Sequence, residues 1–449
     1  MKQLLSKYTA TAVVLAVTLA ACTGGGNQQV NPTPTPGGST EETILIWWNL
    51  FEPEENVRPL IDAYENLHPN VTIQYDQRGV RNGVEGYRSE LDVVLNDNNA
   101  LSTPDIFTVH NSWMTVYEKY VSPAPSNTFT PADLQDFYPV VTSDFAYNDR
   151  LLAIPVYMDA LAIIYNKAKL QEALYTFPSD DWLEFSTQAK NLTRRDANNR
   201  IISSGFSAVF PNNTEFNFDM FNLLLLQNGV QMTNGAGTAT FASDAQIGKA
   251  DEALTFYRSF VGSAGVWTED QKIDIASFLE KKLAMYAAPS WRLIDVLEYN
   301  EEYNLGIDVG VAPVPQLGSI NNDEEIYWPT YWGQTVSKES SNTAVAWDFL
   351  QFITQAEQLK TLDQTVKANG RPIGILYPRI SMAGEITNDP EANELLGPYM
   401  QALANSRNWR IPDGDRVKAA FDQVLLGDQD LNNAQETVTN LYKPQEEEE

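Results

Sequence analysis

Few side chains in this sequence have the type and spacing needed for catalysis. The 449-residue chain has one cysteine, Cys22, and two histidines, His68 and His110. The His-Glu-x-x-His, Gly-x-Ser-x-Gly and Gly-x-x-x-x-Gly-Lys-Ser/Thr sequences are all missing, which removes the common zinc, serine-nucleophile and phosphate-binding motifs. His68 is expected at the surface, and His110 is expected to be a hydrogen-bonding group rather than a base. We therefore expect a protein that is not an enzyme and that uses no metal or cofactor.

Aromatic, amide and carboxylate side chains point to another kind of chemistry, the binding of a polyhydroxylated ligand. Flat rings stack on the C–H face of a sugar, and polar groups beside them bond its hydroxyls. A hydroxyl buried without a partner costs about 1 to 3 kcal/mol, so the site needs both kinds of group. The expected ligand-binding residues are Trp48, Asn49, Glu52, Asn111, Trp113, Tyr157, Asp159, Trp291, Tyr331, Trp332 and Arg371.

Each of these residues also has a structural interpretation. The polar ones are common in turns, helix caps and surface charges. Trp47 and Trp48 are consecutive in a predicted strand and point to opposite faces, so only one of them should face a ligand. The helical patterns around Trp182, Trp267 and Trp347 assign those three rings to packing.

The elements that position the first site residues begin with an apolar strand, Ile44 to Trp48. A helix starting after Pro53, a strand containing Ile73, a second helix around Leu91 and a strand from Asp105 to Val109 follow it. Strands that alternate with helices form parallel sheets, and ligands bind beyond the carboxyl ends of such strands. This places the residues after Trp47 and after Val109 at the expected site.

The N-terminal segment from Met1 to Cys22 predicts export and lipid attachment. Lys2 and Lys7 precede an uncharged run too short to span a bilayer, as in a secretory signal peptide. Leu19-Ala20-Ala21-Cys22 resembles a bacterial lipobox, which implies a signal peptide over residues 1–21 and lipidation of Cys22. Residues 22–43 are rich in Gly and Pro, and we expect them to be a flexible linker between the lipid anchor and the body.

Charge and size limit the possible partners. The formal net charge is −29, and Lys and Arg are not clustered, so nucleic acid is excluded as a partner. Roughly 400 residues remain after the linker, which is comfortable for two lobes. With a single cysteine, the chain has no internal disulfide.

Several short motifs in the chain after residue 43 occur in the same order as in one protein family, although each motif alone is a weak match. This sequence resembles family 1 extracellular solute-binding proteins of ABC importers, the group that includes maltose-binding proteins. The Leu151–Asp159 and Ala160–Lys167 segments resemble that family's first crossing between lobes. Lys282 departs from the pattern, since the family usually has glycine there. The other matching segments are Pro104–Phe107, Trp182–Phe185, Lys282–Met285 leading to Trp291, Val309–Pro315, Gly333–Lys338, Ala344–Ile353 and Gly370–Pro372.

The resemblance implies a two-lobed α/β periplasmic-binding-protein fold. Each lobe would hold a mostly parallel sheet flanked by helices, with the ligand cleft at a multi-strand hinge. The first lobe would comprise positions 44–156 and 311–354, and the second would comprise positions 157–310 and 355–449. The chain would capture an extracellular mono- or oligosaccharide by hinge closure and deliver it to a membrane permease. We expect a monomer, lipid-anchored on the extracytoplasmic face of the cell membrane.

Two other functions remain open from the sequence. Aromatic rings together with Glu52 and Asp159 could enclose a polyamine or another cationic solute through cation–π and ionic contacts. A surface-anchored carbohydrate-active enzyme is the alternative from a different class, since two carboxylates are enough for a glycosidase.

Overall fold

The computed structural model describes residues 42–79, 83–96, 103–234, 237–317 and 324–443. The predicted signal peptide, Cys22 and most of the predicted linker lie outside the described residues. Within the described ranges, each helix is too short or too polar to cross a bilayer.

Twelve strands occur in the described residues. They are β1 (Thr43–Asn49), β2 (Val71–Gln77), β3 (Ile106–His110), β4 (Val121–Ser122), β5 (Ala146–Tyr147), β6 (Arg150–Leu151), β7 (Ala162–Asn166), β8 (Arg194–Arg195), β9 (Ile201–Phe206), β10 (Leu283–Ala288), β11 (Val309–Pro313) and β12 (Trp332–Ser337).

Helices cover both sheets. They are α1 (Glu54–Leu67), α2 (Gly83–Asn96), α3 (Met114–Tyr117), α4 (Pro131–Asp136), α5 (Pro139–Phe145), α6 (Lys167–Glu172), α7 (Trp182–Leu192), α8 (Asn217–Gln227), α9 (Ile247–Arg258), α10 (Asp274–Leu279), α11 (Ser290–Glu302), α12 (Thr343–Ile353), α13 (Ala356–Ala368), α14 (Gly384–Thr387), α15 (Pro390–Ala404), α16 (Gly414–Leu426) and α17 (Leu431–Leu441). Short 3-10 helices occupy Asn111–Trp113, Glu118–Tyr120 and Ile380–Met382.

The first sheet has the order β2-β1-β3-β12-β4. β1 pairs in parallel with β2 and β3, as the alternation of strands and helices predicts. β12 comes from much later in the chain and pairs antiparallel with β3 and β4. This sheet is therefore mixed: the opening strands are parallel and the returning strand is antiparallel.

The second sheet has the order β11-β7-β10-β9-β8. β7 pairs antiparallel with both β10 and β11, and β10 runs parallel to β9. β7 and β10 are buried along their whole length, and their sequences are apolar or aromatic except for Asn166 at the end of β7. Gly310 permits β11 to pack on Tyr165, because a Cβ at residue 310 would lie 2.3 Å from the Tyr165 ring.

The α/β fold class is confirmed, with details that differ from the sequence-based expectation. Antiparallel pairs make both sheets mixed rather than mostly parallel. β11 pairs with β7, so the chain returns to the first sheet after Pro313 and not at residue 311. α13 packs against α1, so residues 356–368 lie with the first sheet rather than with the second.

Three connecting segments lie side by side between the two sheets. Ile154 forms an isolated bridge with Gln334, and Ala160 forms one with Pro329. The third segment joins them where the Met158 amide donates to the Leu376 carbonyl at 2.9 Å. This arrangement has the form of a multi-strand hinge.

Large aromatic side chains fill the core. Trp182, Trp267 and Trp347 are at most 1% exposed, which confirms their assignment to packing. α1 buries Leu60, Ile61 and Tyr64 on the face that the helical spacing predicts.

Candidate functional site

A cavity with about 780 Å³ of empty space, partly open to solvent, lies between residues of the first sheet and residues at the starts of α8 and α11 and in α16. The lining residues that belong to β3, β12 and their neighbours are Val84, His110, Asn111, Ser112, Trp113, Thr330 and Trp332. Those from the rest of the chain are Phe216, Phe218, Asp219, Trp291, Trp328, Asn408, Ile411, Gly414, Asp415 and Lys418.

The first wall is an aromatic corner at the end of β3. The register of the sheet sets Trp332, the first residue of β12, opposite His110, the last residue of β3. The Trp332 ring meets the Trp113 ring edge-on, with centroids 5.0 Å apart. Phe51, 41% exposed, lies 5.2 Å from Trp332 and extends the corner. These contacts fix the position of Trp332 while leaving it half-buried.

His110 is held as a neutral hydrogen-bonding group. Its Nδ1 lies 2.8 Å from the Ser112 hydroxyl, and its Nε2 lies 3.2 Å from the Thr330 hydroxyl. Burial, helped by the positive charge of Arg88, lowers the pKa of His110 to about 3. The expected hydrogen-bonding role is confirmed, and the residue also lines the cavity.

Asn111 presents an unusual polar atom to this region. Its Nδ2 donates to the Asp144 carboxylate at 3.0 Å, whereas its Oδ1 is buried and has no partner among the described residues. Asp144 also accepts from the Tyr331 hydroxyl at 2.9 Å and from Asn408. Burial raises the pKa of Asp144 to about 6 against the effect of these donors. The network fixes the Asn111 amide with its nitrogen on Asp144.

The second wall is formed by rings of α8 and α11 and by Trp328. Trp291, the second residue of α11, is 40% exposed, with the Phe216 ring 5.7 Å away. The Arg292 guanidinium lies 4.4 Å from the Trp291 ring centroid. Trp328 Nε1 donates to Asp219 at 2.8 Å. Burial raises the pKa of Asp219 to about 6.

Asp159 lies behind this wall, at the start of α11. Its carboxylate accepts from the Ser290 amide at 2.8 Å, the Ser290 hydroxyl at 2.7 Å and the Trp291 amide at 3.2 Å. It also accepts from its neighbour, the Ala160 amide. Burial raises the pKa of Asp159 to about 7, although these donors oppose the shift. Asp159 is thus a helix cap that connects the hinge to Trp291, and it is not among the lining residues.

Glu52 and Arg371 pair with each other rather than lining the cavity. Arg371 Nη2 lies 2.7 Å from both Glu52 carboxylate oxygens, and Asn56 donates to Glu52 at 2.8 Å. Glu52 is 3% exposed, so this ion pair ties the loop after β1 to the loop after α13. Tyr157 is half-buried near the pair, and burial raises its pKa well above the usual value.

Trp48 and Asn49 are also packed into the protein, each 4% exposed. The Arg78 guanidinium covers the Trp48 ring at 3.9 Å from the centroid. Trp47 is buried as well and donates to Gln334 at 2.8 Å. Neither tryptophan is among the residues that line the cavity, because both faces of β1 are covered in this structure.

Four of the expected site residues come together in the cavity: Asn111, Trp113, Trp291 and Trp332. The others, Trp48, Asn49, Glu52, Tyr157, Asp159, Tyr331 and Arg371, lie outside its lining. Sequence reasoning missed Phe216, Asp219, Asn408, Asp415 and Lys418. The sequence of α8 is typical of a buried helix, and residues 408–418 contain no motif, so neither segment indicated a site. Trp328 was visible as an aromatic residue just before Trp332.

In the described ranges, no group of three or more His, Cys, Asp or Glu side chains is arranged to hold a metal ion.

An α/β fold with two sheets, hinge segments between them and an aromatic cavity is the architecture of a solute-binding protein. Residues 51–360 match the family described as bacterial extracellular solute-binding protein. The chain belongs to this family.

Relatives and solved structures support the same placement. A maltotriose-binding protein of Pyrococcus abyssi is 22% identical over 398 residues, covering 85% of this chain and 77% of the relative. The sugar-binding protein MalE of Xanthomonas citri superposes with a TM-score of 0.68 at 17% identity, covering 89% of this chain and 97% of that one. The GacH receptor of Streptomyces glaucescens, solved unliganded and with acarbose, gives a TM-score of 0.66 at 18% identity and the same two coverages.

Proposed function

We propose that this protein is the substrate-binding component of an ABC importer, and that it captures an extracellular mono- or oligosaccharide in the cavity lined by Trp113, Trp291 and Trp332. The bound sugar is handed to a membrane permease. The protein itself performs no chemistry on it.

The observation that carries this proposal is that aromatic rings and polar groups line one cavity together. Trp332 and Trp113 enter from the side of the first sheet, and Trp291 and Phe216 enter from the side of the second. Asn111, Thr330 and Asp219 lie among them as hydrogen-bonding groups. A sugar ring has an apolar C–H face and a polar rim, so it satisfies both sets.

The known relatives support the same ligand class. The Pyrococcus abyssi relative is named for maltotriose, and the Streptomyces glaucescens receptor was solved with acarbose. The hinge segments would allow the lobes to close on a ligand. A ligand that contacts both walls favours the closed arrangement of the lobes over the open one.

The two carboxylates on which the polyamine alternative was based already have partners within the protein. Glu52 is neutralised by Arg371, and the carboxylate of Asp159 is occupied by amide and hydroxyl donors. A cationic ligand would therefore have to rely on other acidic groups.

A thermal-shift screen tests the proposal. The full-length chain, in a detergent without a sugar headgroup, is screened with mono- and oligosaccharides, and with polyamines, peptides and phosphate esters as controls. A ligand that binds only the folded state raises the melting temperature in a saturable way. We expect a saturable shift with one group of sugars and no product after prolonged incubation. A response to spermidine alone, or release of reducing sugar, would contradict the proposal.

We also propose that the chain is anchored by lipid on Cys22 at the extracytoplasmic face of the membrane and acts as a monomer. Each buried methylene of an acyl chain contributes about 0.8 kcal/mol, so attachment through more than one chain is stable. Labelling with a fatty-acid analogue in a bacterial host should mark the wild-type protein and not Cys22→Ser. Equal labelling of the two, or release of both into the soluble fraction, would contradict the anchor.

A further inference from the structure

The cationic side chains around the cavity are already paired with carboxylates. Lys418 lies 2.7 Å from Asp422. Arg88 is paired with Asp413 and Asp415, of which Asp415 lines the cavity.

On the second wall, Arg292 is likewise held by Glu215 and Asp295. Each basic group named here therefore has its charge matched before a ligand enters.

Two hydrogen-bond acceptors in the walls lack such a match. The Oδ1 atom of Asn111, a residue 7% exposed, is buried without a partner in the described part of the chain. Its amide cannot simply rotate, because the nitrogen is bonded to Asp144. Asp219 accepts hydrogen bonds from Trp328 and from its own backbone amide, and it feels the charge of Lys418, but among the described residues no Lys or Arg lies within ion-pair distance of it.

A buried acceptor without a donor destabilises the free protein, and a ligand hydroxyl that donates to Asn111 would remove that cost. An anionic group near Asp219 would instead face a like charge, and Lys418, the lysine of the same cavity, is already paired with Asp422. The formal net charge of −29 adds a long-range field of the same sign. The cavity therefore favours ligand groups that donate hydrogen bonds and disfavours ligand groups that are anionic.

From this geometry we infer that the cavity selects uncharged glycans through their hydroxyl donors and rejects glycans that carry a carboxylate or phosphate. Asn111 and Asp219 are the residues that determine this specificity. Asp144 is a positioning residue, because it acts by holding the Asn111 amide. The inference rests on the proposed function and narrows its ligand class.

Paired ligands test this selectivity in the full-length protein. Maltotriose, cellotriose and isomaltotriose are titrated calorimetrically near pH 7.5, each beside the same trisaccharide oxidised to a uronate at one terminal C6. The proteins are the wild type, Asp219→Asn, Asn111→Ala and the control Asp62→Asn. Asp62 is 58% exposed on α1, so its replacement changes the net charge equally but away from the cavity. Melting temperatures confirm that each variant folds.

We expect the wild type to bind at least one neutral trisaccharide about 30-fold or more tightly than its uronate. Asp219→Asn should reduce that ratio at least about fivefold, and Asp62→Asn should leave it unchanged. Asn111→Ala should weaken the neutral sugar about tenfold.

Equal binding of the neutral sugar and its uronate by the wild type would overturn the inference while leaving the sugar-binding function intact. A ratio that Asp219→Asn does not change would overturn the role of Asp219. Silence across the whole panel would overturn both the inference and the proposed function.

Discussion

Trp291 is the residue on which the sugar-binding proposal depends most directly. A large ring that is 40% exposed at a helix start is costly to leave in water unless something covers it. Phe216 contacts it edge-on, Arg292 lies over one face, and the ring borders the cavity. We therefore expect a sugar to complete its burial.

Replacing Trp291 by Ala should weaken sugar binding about 30-fold, because about 2 kcal/mol of ring burial in the complex is lost. The melting temperature should change little, since the free protein leaves much of the ring exposed. Tyr299→Ala is the matched control: it lies on the same helix and is 41% exposed, but it does not line the cavity. Calorimetric titration with the best sugar measures both. Equal losses of affinity in the two variants would contradict the role of Trp291.

At the residue scale, the sequence identified the aromatic residues of the cavity better than its polar residues. Trp113, Trp291 and Trp332 were expected in the site because each lies at a predicted strand end, crossing or loop that the resembled family uses to line its cleft. Glu52 and Arg371 have side chains suited to ligand contact, but in the structure they pair with each other. Their two loops are far apart along the chain. Only the folded structure shows that pairing.

α11 links the hinge to the cavity at the scale of elements. Its first residue follows Pro289, and its N-terminal amides are capped by Asp159 from the first connecting segment. The backbone carbonyl of Asp159 accepts from the Thr330 amide in the second segment at 3.1 Å. One hinge residue therefore contacts the elements that carry Trp291 and Thr330, both of which line the cavity.

Asp159→Ala should destabilise the fold by about 2 to 3 kcal/mol, because it removes a helix cap and leaves buried donors unpaired. It should also weaken sugar binding, since Trp291 loses its anchored position. Asp181→Ala is the control: Asp181 caps α7 through the Leu183 and Glu184 amides, away from the cavity. That variant should lose about 1 kcal/mol and keep its affinity. Chemical denaturation and titration measure the two effects, and unchanged affinity in Asp159→Ala would contradict the link.

The elements themselves were largely predictable. α1, β2 and α2 follow from apolar periodicity, because each of them has one regular face to bury, and β1 and β3 follow from short apolar runs. The mixed pairing of the sheets was not predictable from local pattern. Strand direction at β12 and β7 depends on where the connecting segments re-enter each sheet, and apolar runs carry no information about direction.

Four buried carboxyl groups influence the stability of the whole molecule. Burial raises the pKa of Asp144, Asp219 and Asp274 to about 6 and that of Asp159 to about 7. Between about pH 4 and 7, the folded protein therefore holds more protons than the unfolded chain, and the free energy of unfolding falls as pH rises. His110 opposes this below about pH 6.5, because its folded pKa is lowered.

Because four carboxyl groups stabilise the folded protein in mild acid and only His110 opposes them, we expect a higher melting temperature at about pH 5.5 than at about pH 7.5. Weaker repulsion among the many surface carboxylates acts in the same direction. Scanning calorimetry at the two pH values tests this. Asp144→Asn should show a smaller difference, since it removes one raised pKa. A wild-type protein that melts at a lower temperature in acid would contradict the assignment of raised pKa values.

At the scale of the whole molecule, we propose that one neutral sugar is held between the first wall, at the end of β3, and the second wall, formed by rings of α8 and α11 and by Trp328. The most direct measurement is a crystal structure of the protein with the saccharide that gives the largest thermal shift. We predict an intact sugar in the cavity, stacked against Trp291 and Trp332, with a hydroxyl donating to Asn111 Oδ1. A sugar bound instead in the separate cavity lined by Asp363 and Leu396, or a cleaved sugar, would contradict the account.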